Sequence, residues 1–282
     1  MLKNSGIFNS EITYEDSSLV IELVPWSASG RQLSAYGPAS VRDKSKKMLL
    51  EDTRELAQHI FSLDDTRIHS LNSSACLATK TSTKTEIYEN KVVELVYEKS
   101  KKLLKDGKFI GILGGAKSSS LGGLKAAAEK YTNIGLLSID NIPYGGVEAF
   151  PNITKLKRIV AISTNYCSKE RLSRAKTHES VETVTIEHLE WMKASNPWTT
   201  IAYDVVAALP PCVWVSIDNS CGLKQEGIDQ ILLSLNNLRR KIIGFDLYGI
   251  NIGESLDATQ MLYSLCNSIL INQNRLPSNY CS

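Results

Sequence analysis

The apolar positions along the chain fall into two periodicities. Short continuous apolar runs occur at Ser18–Val24, Phe109–Leu113, Ile134–Asp140, Arg158–Ser163, Val181–Thr185, Cys212–Ile217 and Lys241–Tyr248. Runs of this length, apolar on both faces, are what a strand buried on both sides requires. TRIHSL (Thr66–Leu71) reads as a further strand, which brings the number to eight. Between the strands the period is helical. Gly37-Pro38 opens a helix running to about Ser62, with Val41, Met48, Leu49, Leu56, Ile60 and Phe61 as its apolar positions, and the proline suits a first helical turn. Glu86–Leu104, a segment opening at Ser118, Ile186–Lys193, Thr200–Leu209, Gly227–Arg239 and Ala258–Ile271 are the other predicted helices. Asn72–Thr85, rich in Ser and Thr, reads as a loop.

Strands separated by helices rather than by hairpin turns point to parallel pairing. The predicted fold is α/β, a three-layer α/β/α arrangement on a mainly parallel, eight-stranded sheet. Neither a linker nor an internal repeat interrupts the chain, so residues 1–282 are expected to form a single domain. Ligands of such sheets gather outside the carboxyl ends of the strands. That places Ala116, Lys117, Ser118, Asp140, Asn141 and Tyr144 around one expected crevice.

Composition narrows the function classes. With 43% hydrophobic and 22% charged residues and a net charge of +2, nothing favours a nucleic acid or an anionic membrane as partner. The first residues lack the apolar core of a secretory signal, and no run reaches the roughly 20 apolar residues of a membrane span. A cytoplasmic location is the expectation. The six cysteines, Cys76, Cys167, Cys212, Cys221, Cys266 and Cys281, are scattered without a CxxC pair. They read as reduced core or surface residues, not as a disulfide frame or a zinc site.

Four motifs follow predicted strands in order: GGAKSSSLG, IGLLSIDNIPYGG, VWVSIDNSCG and IIGFDLYGIN. Together they resemble the ureohydrolase family of arginases and agmatinases, whose signatures are GGDHSxxxG, DAHxD, SxDxD and GxDxxExNP. GPASVR also resembles that family's GPxxIR helix start. The resemblance implies an arginase-like sheet of eight strands and self-association as a trimer or hexamer. In active members it further implies two manganese ions held by two histidines and four aspartates, bridging a hydroxide that attacks a guanidinium carbon.

Carried over position by position, the resemblance implies a degenerate site. The first histidine is Lys117 and the residue before it Ala116. Of the three DAHxD ligands only Asp140 stands, with Ile142 and Tyr144 in the other places. Asp218 matches the first SxDxD aspartate and Ser220 the second, while Gly249 stands where a glutamate anchors the substrate guanidinium. Isoleucine has no lone pair, and a lysine ammonium offers a cation only donors. The four histidines, His59, His69, His178 and His188, lie outside these motifs. The expectation is therefore a pseudoenzyme with no catalytic residue, no metal and no cofactor. Its role would be binding or regulation, through a protein partner or a small molecule in the crevice. Two alternatives stand beside it. One is a hydrolase of a guanidino or amide substrate with altered or metal-free chemistry. The other is a nucleotide binder, because Gly111–Ser118 has P-loop spacing with Ala116 in place of a glycine.

Overall fold

The structure is a computed structural model that describes residues 6–27, 32–48, 53–78, 82–141, 156–163, 181–276 and 280–281. Eight strands form one sheet in the order β2-β1-β3-β8-β7-β4-β5-β6, the arginase-like α/β arrangement expected. They are β1 (Leu19–Val24), β2 (Ile60–Asp64), β3 (Phe109–Gly114), β4 (Ile134–Asp140), β5 (Leu156–Ser163), β6 (Val181–Val184), β7 (Cys212–Asp218) and β8 (Lys241–Tyr248). The chain divides into two compact units, Met1–Ala126 with Asp246–Cys266, and Ala127–Phe245 with Asn267–Ser282.

In the first unit β1 runs parallel to β2 on one side and β3 on the other, with Leu23 opposite both Asp64 and Leu113. Every residue of β1 is buried, so its run has no solvent face. The helices of this unit are α1 (Gln32–Ala35), α2 (Gly37–Ser45), α3 (Thr53–Ala57), α4 (Thr66–Ala78) and α5 (Ser82–Lys105), with most of α6 (Ser118–Lys130). Helix α6 lies against α5 at Gly122, where a β-carbon would meet the Val93 carbonyl oxygen at 2.5 Å and the Tyr97 nitrogen at 2.6 Å.

Three predicted elements are corrected here. The helix from Gly37 to Ser62 ends at Ser45, and Ile60 and Phe61 belong to edge strand β2. Thr66–Leu71 is not a strand but the start of α4. Its cause is Asp65, whose carboxylate accepts from the Arg67 N–H at 2.9 Å and so caps the helix. Much of Asn72–Thr85 is helical rather than loop. Ser73 and Ser74 satisfy their hydroxyls on the carbonyls of His69 and Ser70, four residues back, which lets such residues sit inside a helix. His69 accordingly lies on α4 and meets Asp64 at 3.1 Å.

In the second unit β4 pairs in parallel with β5 and with β7, and β5 with β6. All seven residues of β4 are buried. Helices α7 (Ile186–Ser195), α8 (Trp198–Ala207) and α9 (Gln225–Asn237) belong here, and α10 (Ser255–Arg275) begins in the first unit and ends in the second. Thr185 caps α7 through His188 N. Trp214 of β7 is fully buried and fills the space beside Gly244, where a β-carbon would meet its ring at 2.4 Å. The side chain of Asn272 on α10 ties down the turn before β8, accepting from Ile242 N at 3.3 Å and donating to the Arg240 carbonyl at 3.2 Å.

The cysteine reading is corrected too. Cys212, at the start of β7, forms a disulfide with Cys281, across 69 residues and with 5.9 Å between α-carbons. Both are buried, as are the free thiols Cys221 and Cys266. Closing a loop of this length removes chain entropy from the unfolded state worth about 4 kcal/mol. Differential alkylation followed by mass spectrometry should find Cys212 and Cys281 blocked until a reductant is added. Cys212→Ser should lower stability to unfolding by a similar amount.

Candidate functional site

Each of the four motifs begins in a strand. Glycines make the first turn possible. A β-carbon on Gly115 would meet the Ser34 carbonyl oxygen at 2.3 Å and that of Trp26 at 2.5 Å, and one on Gly114 would meet the Ser119 hydroxyl oxygen at 1.9 Å. Only glycine permits so close an approach. Just beyond, α6 starts by spending its N–H groups locally: Ser119 N donates to the Ala116 carbonyl at 3.1 Å and Ser120 N to that of Lys117 at 2.9 Å. The Ser119 hydroxyl also donates to Ala116 O. A P-loop needs such N–H groups free to cradle phosphate. The N–H groups of Ser119 and Ser120 are used, and carbonyl oxygens approach Gly115.

Lys117 is half-buried, and its ammonium stands 5.3 Å from the centre of the Tyr248 ring, at the end of β8. Cation–π contacts of this length are favourable, more so when shielded from water. Tyr248 is not among the expected crevice residues; its signal in the sequence is an aromatic at the last position of a buried strand. In the next position Gly249 has a φ of 68°. This left-handed conformation costs an L-residue about 1–2 kcal/mol. Asp246 of the same motif is retained and only 1% exposed.

Adjacent parallel strands β4 and β7 bring Asp140 and Asp218 together. Asp140 is 7% exposed. Asp218 Oδ1 accepts from the Ser220 N–H and hydroxyl, each at 2.8 Å. The Asp218 carboxyl is held above the ordinary carboxylate range, chiefly by burial; the bonds from Ser220 oppose that shift, while the Asp140 charge and a carboxyl–carboxyl hydrogen bond add to it. Cys221 follows, its thiol pushed up to about 11 by burial. Ile142 and Tyr144, the remaining expected positions, lie outside the described residues, as does His178. His188 is on α7, stacked on Trp191.

The residues at these motif positions differ in what they offer a cation. Lys117 brings a positive charge. Ser220, in the place of a carboxylate, donates its N–H and its hydroxyl to Asp218 Oδ1. Among the described residues no group of three or more His, Cys, Asp or Glu side chains is placed to hold a metal ion.

The Arginase family model matches residues 17–141. No curated protein matches the chain by sequence. Among solved structures, the chain resembles the agmatine ureohydrolase of Thermoplasma volcanium at 15% identity, TM-score 0.70, covering 98% of each chain. It also resembles the arginase of Bacillus cereus at 14% identity, TM-score 0.68, over 88% of this chain and 98% of the other. A third is the manganese-containing formiminoglutamase of Trypanosoma cruzi at 14% identity, TM-score 0.68, over 96% and 97%. The family match and the fold bear out the ureohydrolase resemblance read from the motifs.

Returning the family's glutamate to position 249 tests what the glycine does there. Gly249→Glu should lower stability by about 1–2 kcal/mol, read as a lower midpoint in chemical denaturation, because the turn needs a left-handed residue.

Proposed function

We propose that this ureohydrolase-family protein carries no catalytic metal pair and does not hydrolyse guanidino substrates; it acts by binding, as a regulatory or partner protein. The observation that carries this reading is the bonding at Asp218. In place of a second carboxylate, Ser220 supplies two donors to it, and burial, with the Asp140 charge beside it, holds its carboxyl above the ordinary range. A binuclear centre instead needs acceptor oxygens turned toward the ions, to neutralise them while they lower the pKa of bound water. Four of the six ligand positions, Lys117, Ile142, Tyr144 and Ser220, have lost the family's ligand, and Gly249 has lost the substrate anchor.

The glycines of the signature persist on this reading because the turn after β3 needs them, not because the chemistry does. Function resides in the site residues rather than in the fold. Purified protein, supplied with excess manganese, should release no urea from arginine or agmatine and should not turn over formiminoglutamate. Turnover above the buffer rate, abolished by Asp218→Ala, would overturn the proposal.

The reading extends to assembly. No helix of the described residues is long and apolar enough to cross a membrane, and a homo-oligomer, trimeric or hexameric, is the proposed form. Light scattering should give a mass several times the 31.2 kDa of one chain. A monomer at micromolar concentration would count against it.

A further inference from the structure

Glu22 is the one charged residue of β1, and it is fully buried. Its strand neighbours in register are Leu63 of β2 and Ile112 of β3, neither of which can ionise or hydrogen-bond through its side chain. Neither carboxylate oxygen has a hydrogen-bond partner among the described residues. What faces it is Lys99 of α5, whose ammonium stands 3.5 Å from Glu22 Oε1 and 3.6 Å from Asp65 Oδ2. Asp65 is already held by Arg67 of α4, through Nε at 3.1 Å and Nη2 at 2.8 Å. One lysine is thus shared between an acid that has another cation and an acid that has none. Lys99, Asp65 and Arg67 are the charged groups that act on Glu22.

We propose that Glu22 is a proton-operated clasp between the sheet and α5: ionised, it holds Lys99 to β1; protonated, it leaves Lys99 to Asp65. The reason is the cost of an unpaired charge in a dry interior. At 3.5 Å the ammonium compensates the carboxylate only in part, and a proton removes the charge outright. Burial pushes the Glu22 carboxyl up to about 7, against the opposing pull of Lys99, so the exchange falls near neutral pH. Asp65 behaves oppositely. Its bonds from Arg67 hold it down at about 2, so it stays ionised while Glu22 titrates. The clasp lies under a layered stack, since α6 rests on the α5 backbone at Val93–Tyr97, one turn from Lys99. Helix α6 begins directly after Lys117.

The sign of the pH effect follows. A carboxyl whose pKa is raised in the folded state binds its proton more tightly there than in the unfolded chain. Stability therefore falls as pH climbs from the unfolded value to the folded one, from about 4 to about 7. Wild-type protein should show a falling melting temperature between pH about 4 and about 7, and Glu22→Gln should flatten that fall and melt higher at the alkaline end. Parallel profiles for the two proteins would overturn the proposal. Should the variant not fold, the carboxyl carbon of Glu22 followed by NMR in the wild type decides. A midpoint near neutrality supports the clasp, and one in the ordinary glutamate range overturns it. Lys99→Met separates a clasp from burial alone: the midpoint must move upward, and an unmoved midpoint rejects the role of Lys99.

Discussion

The turn between β3 and α6 is a tight constraint in the first unit. Gly115 passes within a β-carbon's reach of the Ser34 and Trp26 carbonyls, and Gly114 lies as close to Ser119. That contact seats the segment after β1 on the end of β3 and fixes where α6 begins. Any side chain at Gly115 would push backbone against backbone, which packed interiors tolerate poorly. The same demand explains why the two glycines of the signature are kept whatever stands beside them. Ala116 and Lys117 face no such demand, and they are the positions that differ from the ureohydrolase pattern.

In the second unit the retained acids have become part of a hydrogen-bonded structure. An acid pair at adjacent strand ends is costly when both are charged and buried. The Ser220 donors relieve part of that cost. Glu22 meets the same problem in the first unit with a lysine at a longer distance. Both places show that a buried carboxylate demands a donor or a proton, and the identity of the neighbour decides which it receives.

The sheet was legible in the sequence because buried parallel strands are nearly pure apolar runs. β4 and β8 have the bounds read from the pattern, and β1, β3, β5, β6 and β7 differ by a residue or two at an end. The misreadings lie between β1 and α5, where polar side chains rather than apolar periods set the structure. Asp65 nucleates a helix on a segment of strand-like composition, and Ser73 and Ser74 bond back into that helix. Edge strand β2, with a half-exposed pattern, was absorbed into a helical period. Of the site, the residue identities were legible and their partners were not. Tyr248 under Lys117, Ser220 on Asp218 and Cys281 on Cys212 are joined by the fold across long separations that no local spacing encodes.

The proposed reading puts no metal pair at Asp140 and Asp218, so equilibrium binding of manganese is the most direct test. Manganese titrated into metal-stripped protein, with free ion followed by electron paramagnetic resonance, should leave the free-ion signal rising in proportion to the amount added. Saturable uptake of about two ions per chain, lost in Asp140→Ala and Asp218→Ala, would contradict the account.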